Sequence, residues 1–171
     1  MWPAVAVILV GVVTVILIKF LLPQDKTAPA AGNVLAAADQ RYGLPNGTPT
    51  DPKDFAALVS TLQQLAESGD TDAMIRLGLM HKDGFGVLQD FGRAATWIQK
   101  AADLGHSEAM LELGRLYRDG VGFEADAVLA YVWFNRAAAA LNMDAVRERE
   151  DLASEMTPEQ LRSAQELSAK T

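Results

Sequence analysis

Two histidines, His81 and His106, are the chain's only imidazoles, and it has no cysteine. A helical zinc site needs a second ligand one turn away, and neither histidine has a His at i+4 or an Asp/Glu cluster at ligand spacing. The lack of cysteine removes thiolate nucleophiles, disulfides and thiolate metal sites together. Asp83 and Asp119 recur just before glycines in two separate turns, a placement that serves a turn rather than an acid/base pair. The segment Gly120-Val121-Gly122-Phe123-Glu124-Ala125 spells the G-x-G-x-x-A phosphate-cradling fingerprint. That fingerprint requires a preceding strand, and a helical pattern precedes it here. No catalytic residue, cofactor or metal is expected, and the chain reads as a non-enzyme. A net charge of −7 likewise argues against a nucleic-acid footprint.

The elements around these residues are set by an internal echo. Gly69, Ala73, Met74, Leu77, Gly78, Asp83, Gly84, Gly86, Trp97 and Ala101-Ala102 all return 36 positions later, at Gly105, Ala109, Met110, Leu113, Gly114, Asp119, Gly120, Gly122, Trp133 and Ala137-Ala138. A period of this size marks stacked helical repeats, which present surfaces rather than enclosed reaction sites.

Each unit reads as a helix pair. The first helix, Thr71 to Lys82, carries an apolar stripe at Met74, Leu77, Gly78 and His81, copied as Met110, Leu113, Gly114 and Tyr117. His81 thus takes a core position, whereas His106 falls in a polar loop. Gly78 and Gly114 sit inside helices, where glycine costs about 1 kcal/mol, so they are expected to admit a close neighbour. The second helices bury Phe91, Ala94, Ala95, Ile98 and Ala101, and their copies, with Trp97 and Trp133 as packing residues. Gly69 and Gly105 are read as C′ residues. A degraded half-repeat, Asp54 to Glu67, precedes the first unit.

After residue 141 the pattern fails: Arg149 and Glu150 replace Leu113 and Gly114. The run Arg147 to Asp151 is read as a solvated outer face, and Thr157-Pro158-Glu159-Gln160 as a capping box that starts a last helix to about Lys170.

These residues resemble the Sel-1-like repeat, a relative of the tetratricopeptide repeat. The family's pattern appears as Ala73, Leu77-Gly78, His81, Gly84, Gly86-Val87, Ala94, Trp97, Lys100-Ala101-Ala102 and Gly105. Its second copy is Ala109, Leu113-Gly114, Tyr117, Gly120, Gly122, Ala130, Trp133 and Arg136-Ala137-Ala138. The match spans residues 54 to 140, and Met156 to Gln160 resembles a closing segment of the family. The resemblance implies an all-α solenoid of helix pairs that acts as a protein-binding scaffold. Secreted members with proposed penicillin-binding activity are cysteine-rich, and this chain has neither Cys nor a Ser-x-x-Lys, so that branch is not expected.

In tetratricopeptide-like stacks the first helices line a concave groove. With Leu77-Gly78 and Leu113-Gly114 as register points, the groove positions are Asp72, Ile75, Leu79 and Lys82, then Glu108, Leu111, Arg115 and Arg118. The expected surface is an apolar centre of Ile75, Leu79 and Leu111, edged by Lys82, Arg115 and Arg118, suited to an apolar peptide bearing carboxylates.

Upstream, no charge occurs from Trp2 to Ile18. The stretch to Leu22, about 21 residues, would span roughly 31 Å as a helix against a ~30 Å hydrocarbon core. A cleaved leader is the alternative, with Ala28-Pro29-Ala30 as its site, but there is no positive n-region and the apolar run is too long. The expected domains are an anchor at 1–22, a Pro/Gly/Ala-rich stalk at 23–53, repeats at 54–141 (a truncated repeat 54–69, then 70–105 and 106–141) and capping helices at 142–171. Lys19 and Lys26 follow the span and place the repeats in the cytoplasm of a plasma-membrane protein, with the periplasm as the alternative. The leading reading is a single-pass membrane adaptor for another protein or peptide. An accessory subunit docked through its transmembrane helix and a periplasmic envelope regulator are the alternatives.

Overall fold

The computed structural model describes residues 51–170. The expected anchor at 1–22 and the stalk up to residue 50 lie outside the described residues. Among those described, seven α-helices and no strand occur. They are α1 (Pro52–Glu67), α2 (Thr71–Asp83), α3 (Phe91–Asp103), α4 (Ser107–Asp119), α5 (Ala127–Ala139), α6 (Met143–Glu155) and α7 (Pro158–Ser168). No described helix is long and apolar enough to cross a membrane. Helices packed on helices around one buried cluster make this an all-α solenoid.

Chain neighbours pack in series from α1 to α6, and α7 folds back onto α5 to close the far end. The half-repeat helix α1 packs on α2, as the degraded echo implies. It begins two residues earlier than its register predicts, because Pro52 occupies the first helical turn and the Asp51 carboxylate accepts from Lys53 N.

The internal glycines confirm the close approach. A Cβ on Gly78 would lie 2.5 Å from Ile98 Cγ1, and one on Gly114 would lie 2.5 Å from two ring carbons of Phe134. Ile98 and Phe134 are wholly buried and fill the space the missing side chains leave. In the turns Gly84, Gly86, Gly120 and Gly122 all have φ of 69–74°, where a Cβ would be strained. Among the described residues the same rule is broken once. Leu141 stands in the register of Gly69 and Gly105, with φ 65° and a side chain exposed to water.

The capping box forms as expected, with Thr157 Oγ1 accepting from Gln160 N and Gln160 Oε1 accepting from Thr157 N. The outer face expected on α6 is only partly solvated. Glu148 and Arg149 turn inward, Arg149 donating to Asn135 on α5. The reason is that Glu148 faces the arginines Arg115 and Arg118 of α4 and Arg149 faces α5, so part of the charged run meets protein rather than water.

Candidate protein-binding surface

The first helices α2, α4 and α6 carry a repeated set of polar links. Lys82 on α2 pairs with Glu112 on α4, and 36 residues later Arg118 Nη1 donates to Glu148 Oε2 on α6 at 2.8 Å. Both links join residues 30 apart, in the same register. Arg115 lies between them, donating to Glu112 and, through Nε at 2.7 Å, to Glu148. Arg118 also grips Asp119.

A second link recurs at the helix starts. His106 caps α4, its Nδ1 accepting from Ala109 N at 3.2 Å, while Nε2 lies 2.9 Å from Asp72 Oδ1 on α2. An Nδ1 that accepts leaves the proton on Nε2, so the ring donates to Asp72. One repeat on, Asn142 caps α6 and donates to Glu108 at 3.5 Å. His106 is therefore a helix cap and an inter-repeat strap, not merely a loop residue. Asp70, His106 and Asn142 share one register, each capping a first helix.

Glu112 is the buried charge of this network, 5% exposed. Burial pushes its carboxyl up, but Lys82 and Arg115 together outweigh burial and hold it below its ordinary value. For Arg115, burial favours loss of charge, yet bonds to Glu148 and Glu112 keep the guanidinium firmly ionised.

This geometry corrects the expected groove. Ile75, Leu79 and Leu111 are buried, Leu111 at 1% exposure, so no open apolar centre exists. Along α2 the buried positions run Ala73 to Ile75 and Leu77 to His81, around most of the helix. A first helix held among α1, α3 and the next first helix buries more than one stripe. Lys82, Arg115 and Arg118 are paired with carboxylates of the chain itself and are not free to grip those of a peptide. Asp72, Glu108 and Arg118 remain the exposed members of the eight.

Elsewhere the predicted residues keep their places. His81 is buried, as its stripe position requires. Trp97 and Trp133 pack as expected and each carries a cation over its ring, Lys100 at 4.5 Å and Arg136 at 4.3 Å. Asp119 pairs with the adjacent Arg118. Gly120, the start of the dinucleotide look-alike, is the C-cap of α4 and follows a helix.

The Sel1 repeat family model matches residues 71–106 and 107–140, the α2–α3 and α4–α5 pairs. A Sel1 repeat protein from Oxalobacter formigenes is 38% identical, over 53% of this chain and 68% of that one, with a TM-score of 0.52. The chain belongs to the Sel1-repeat family. The Sel1-like fold is also that of a protective antigen present in uropathogenic Escherichia coli strains, described as displaying an SLR fold. That antigen is 30% identical over 79% of this chain, with a TM-score of 0.69. The chain spans only 28% of the antigen's length. No curated protein matches. Within the Sel1 repeats, both polar links join one unit to the next, so the first-helix face is in large part the seam of the solenoid.

Proposed function

We propose that this Sel1-repeat protein is a membrane-anchored scaffold that docks another protein on its repeat stack. The observation that carries the reading is the solenoid itself: stacked helix pairs of a family whose repeats generally mediate protein–protein contact. The uncharged run from Trp2 to Ile18 supports an anchor, and the prolines of residues 23–53 support a stalk between bilayer and stack. The exposed Asp72, Glu108 and Arg118 give the first-helix face a polar character, so docking there would rest on hydrogen bonds and charge.

Membrane fractionation tests the anchor. The full-length chain should sediment with membranes, and a chain lacking residues 1–22 should not. Equal sedimentation of both would sink the anchor. Alkaline phosphatase and a fluorescent protein fused separately to Thr171 then report the side, the cytoplasmic orientation requiring fluorescence without phosphatase activity. Docking is tested with a photo-crosslinking amino acid at Asp72 or Glu108 in cells. A discrete crosslinked partner at either position is the expected result, and none at either would remove the first-helix face as a docking surface.

A further inference from the structure

The two repeats differ on the side of the second helices. In the second unit Tyr117 stacks on Phe123, ring centroids 4.5 Å apart and planes 13° from parallel. The first unit has His81 and Val87 at those registers. The smaller pair leaves a cleft of about 600 Å³ between α1, α2 and α3, within the range of ligand pockets. Leu77 and the Trp97 ring line it, and Arg93 and Lys100 stand at its rim.

Two features point to an occupant. Leu88, which also lines the cleft, is 89% exposed, where the second unit has Glu124. Arg93 replaces Leu129 of the second unit, so on a chain of net charge −7 this cleft gains a cation and exchanges a carboxylate for an apolar group. Asp90 also lines the cleft and sits 3.4 Å from Arg93, but one of its oxygens is committed to capping α3 at Arg93 N.

Resting on the scaffold reading, we infer that this cleft receives an aromatic side chain from an acidic peptide segment of the partner protein. The ring takes the place that Phe123 fills in the second unit, against Trp97 and Leu88. Flanking carboxylates meet Arg93 and Lys100.

The test uses the full-length chain in mild detergent and a fluorescein-labelled peptide, Glu-Glu-Phe-Glu-Glu, read by anisotropy. Binding in the ~10–100 µM range is expected, with at least a roughly tenfold loss when Phe is replaced by Ala or the glutamates by lysine. The variant H81Y/V87F installs the second unit's stacked pair and should abolish binding while keeping the helical circular dichroism. If it misfolds, R93E and K100E decide, each weakening binding about tenfold. Undiminished binding by a folded H81Y/V87F or by both charge variants, or equal binding of the Ala peptide, overturns the inference. So does phenylacetate binding more tightly than the peptide, since the site would then be one for a small aromatic acid. If crosslinks at Asp72 or Glu108 persist while the peptide fails, only the cleft falls and the scaffold reading stands.

Discussion

Replacing Glu112 by Gln removes one charge from the seam while keeping its shape. Glu112 is buried and accepts from Lys82 and Arg115, and hydrogen bonds to charged groups contribute about 1.5–3 kcal/mol each. The loss is smaller than their sum. Lys82 and Arg115 are 18% and 31% exposed and can turn partly to water, and Arg115 keeps Glu148. A destabilisation of about 2–3 kcal/mol is expected, or a fall in Tm of roughly 10 °C for a domain of this size. The pH dependence fixes its origin. The folded-state pKa of Glu112 is depressed, so its contribution is fully present above the unfolded value of 4.5 and is lost as pH falls through the lower, folded value. Urea unfolding followed by circular dichroism should therefore show the full gap between wild type and E112Q at pH 7, shrinking below pH 4.5. A gap under about 0.5 kcal/mol at pH 7, in the range of ordinary surface substitutions, would refute the seam's energetic role. A gap that persists unchanged to pH 2.5 would refute its electrostatic origin.

Three further outcomes are expected. Leu141→Gly should raise stability by about 1 kcal/mol by relieving the left-handed backbone, net of glycine's greater unfolded-state freedom; lowered stability in urea unfolding would count against strain there. Gly114→Ala should cost about 1–3 kcal/mol because its Cβ meets Phe134, and Gly114→Ala combined with Phe134→Leu should recover part of that loss; strict additivity in the same assay would deny the contact. Leu111→Ala should cost about 2–5 kcal/mol, as a core leucine does; a cost below about 0.5 kcal/mol would return this position to the surface and revive the apolar groove.

The period of the helices was legible because each recurring residue answers a local demand. Gly84 and Gly120 must adopt a left-handed turn, Gly78 and Gly114 must admit a bulky neighbour, and Thr157 and Gln160 must cap a helix start. The candidate site was less so. Choosing one apolar stripe of α2 as core and the next as groove assumes a helix with neighbours on one side, and this helix has them on several. The links from Lys82 to Glu112 and from Arg118 to Glu148 depend on the rise between units, which no single helix pattern contains. A signal was nonetheless present: a base and an acid recur 30 positions apart in both units. His106 was hidden by its type, since imidazole is an uncommon cap, although Asp70 and Asn142 share its register with side chains that cap readily.

The seam also governs how such a chain can grow or shrink. At both joints the earlier first helix offers a cation and the later one receives it through a glutamate, so the two joints have the same polarity, like identical plugs and sockets along a cable. A tandem copy of residues 106–141 would meet its predecessor's Arg118 with a glutamate and present its own arginine to Glu148. Length can then change by whole units without redesigning a junction. Only the two ends, α1 and the α6–α7 closure, are fixed fittings.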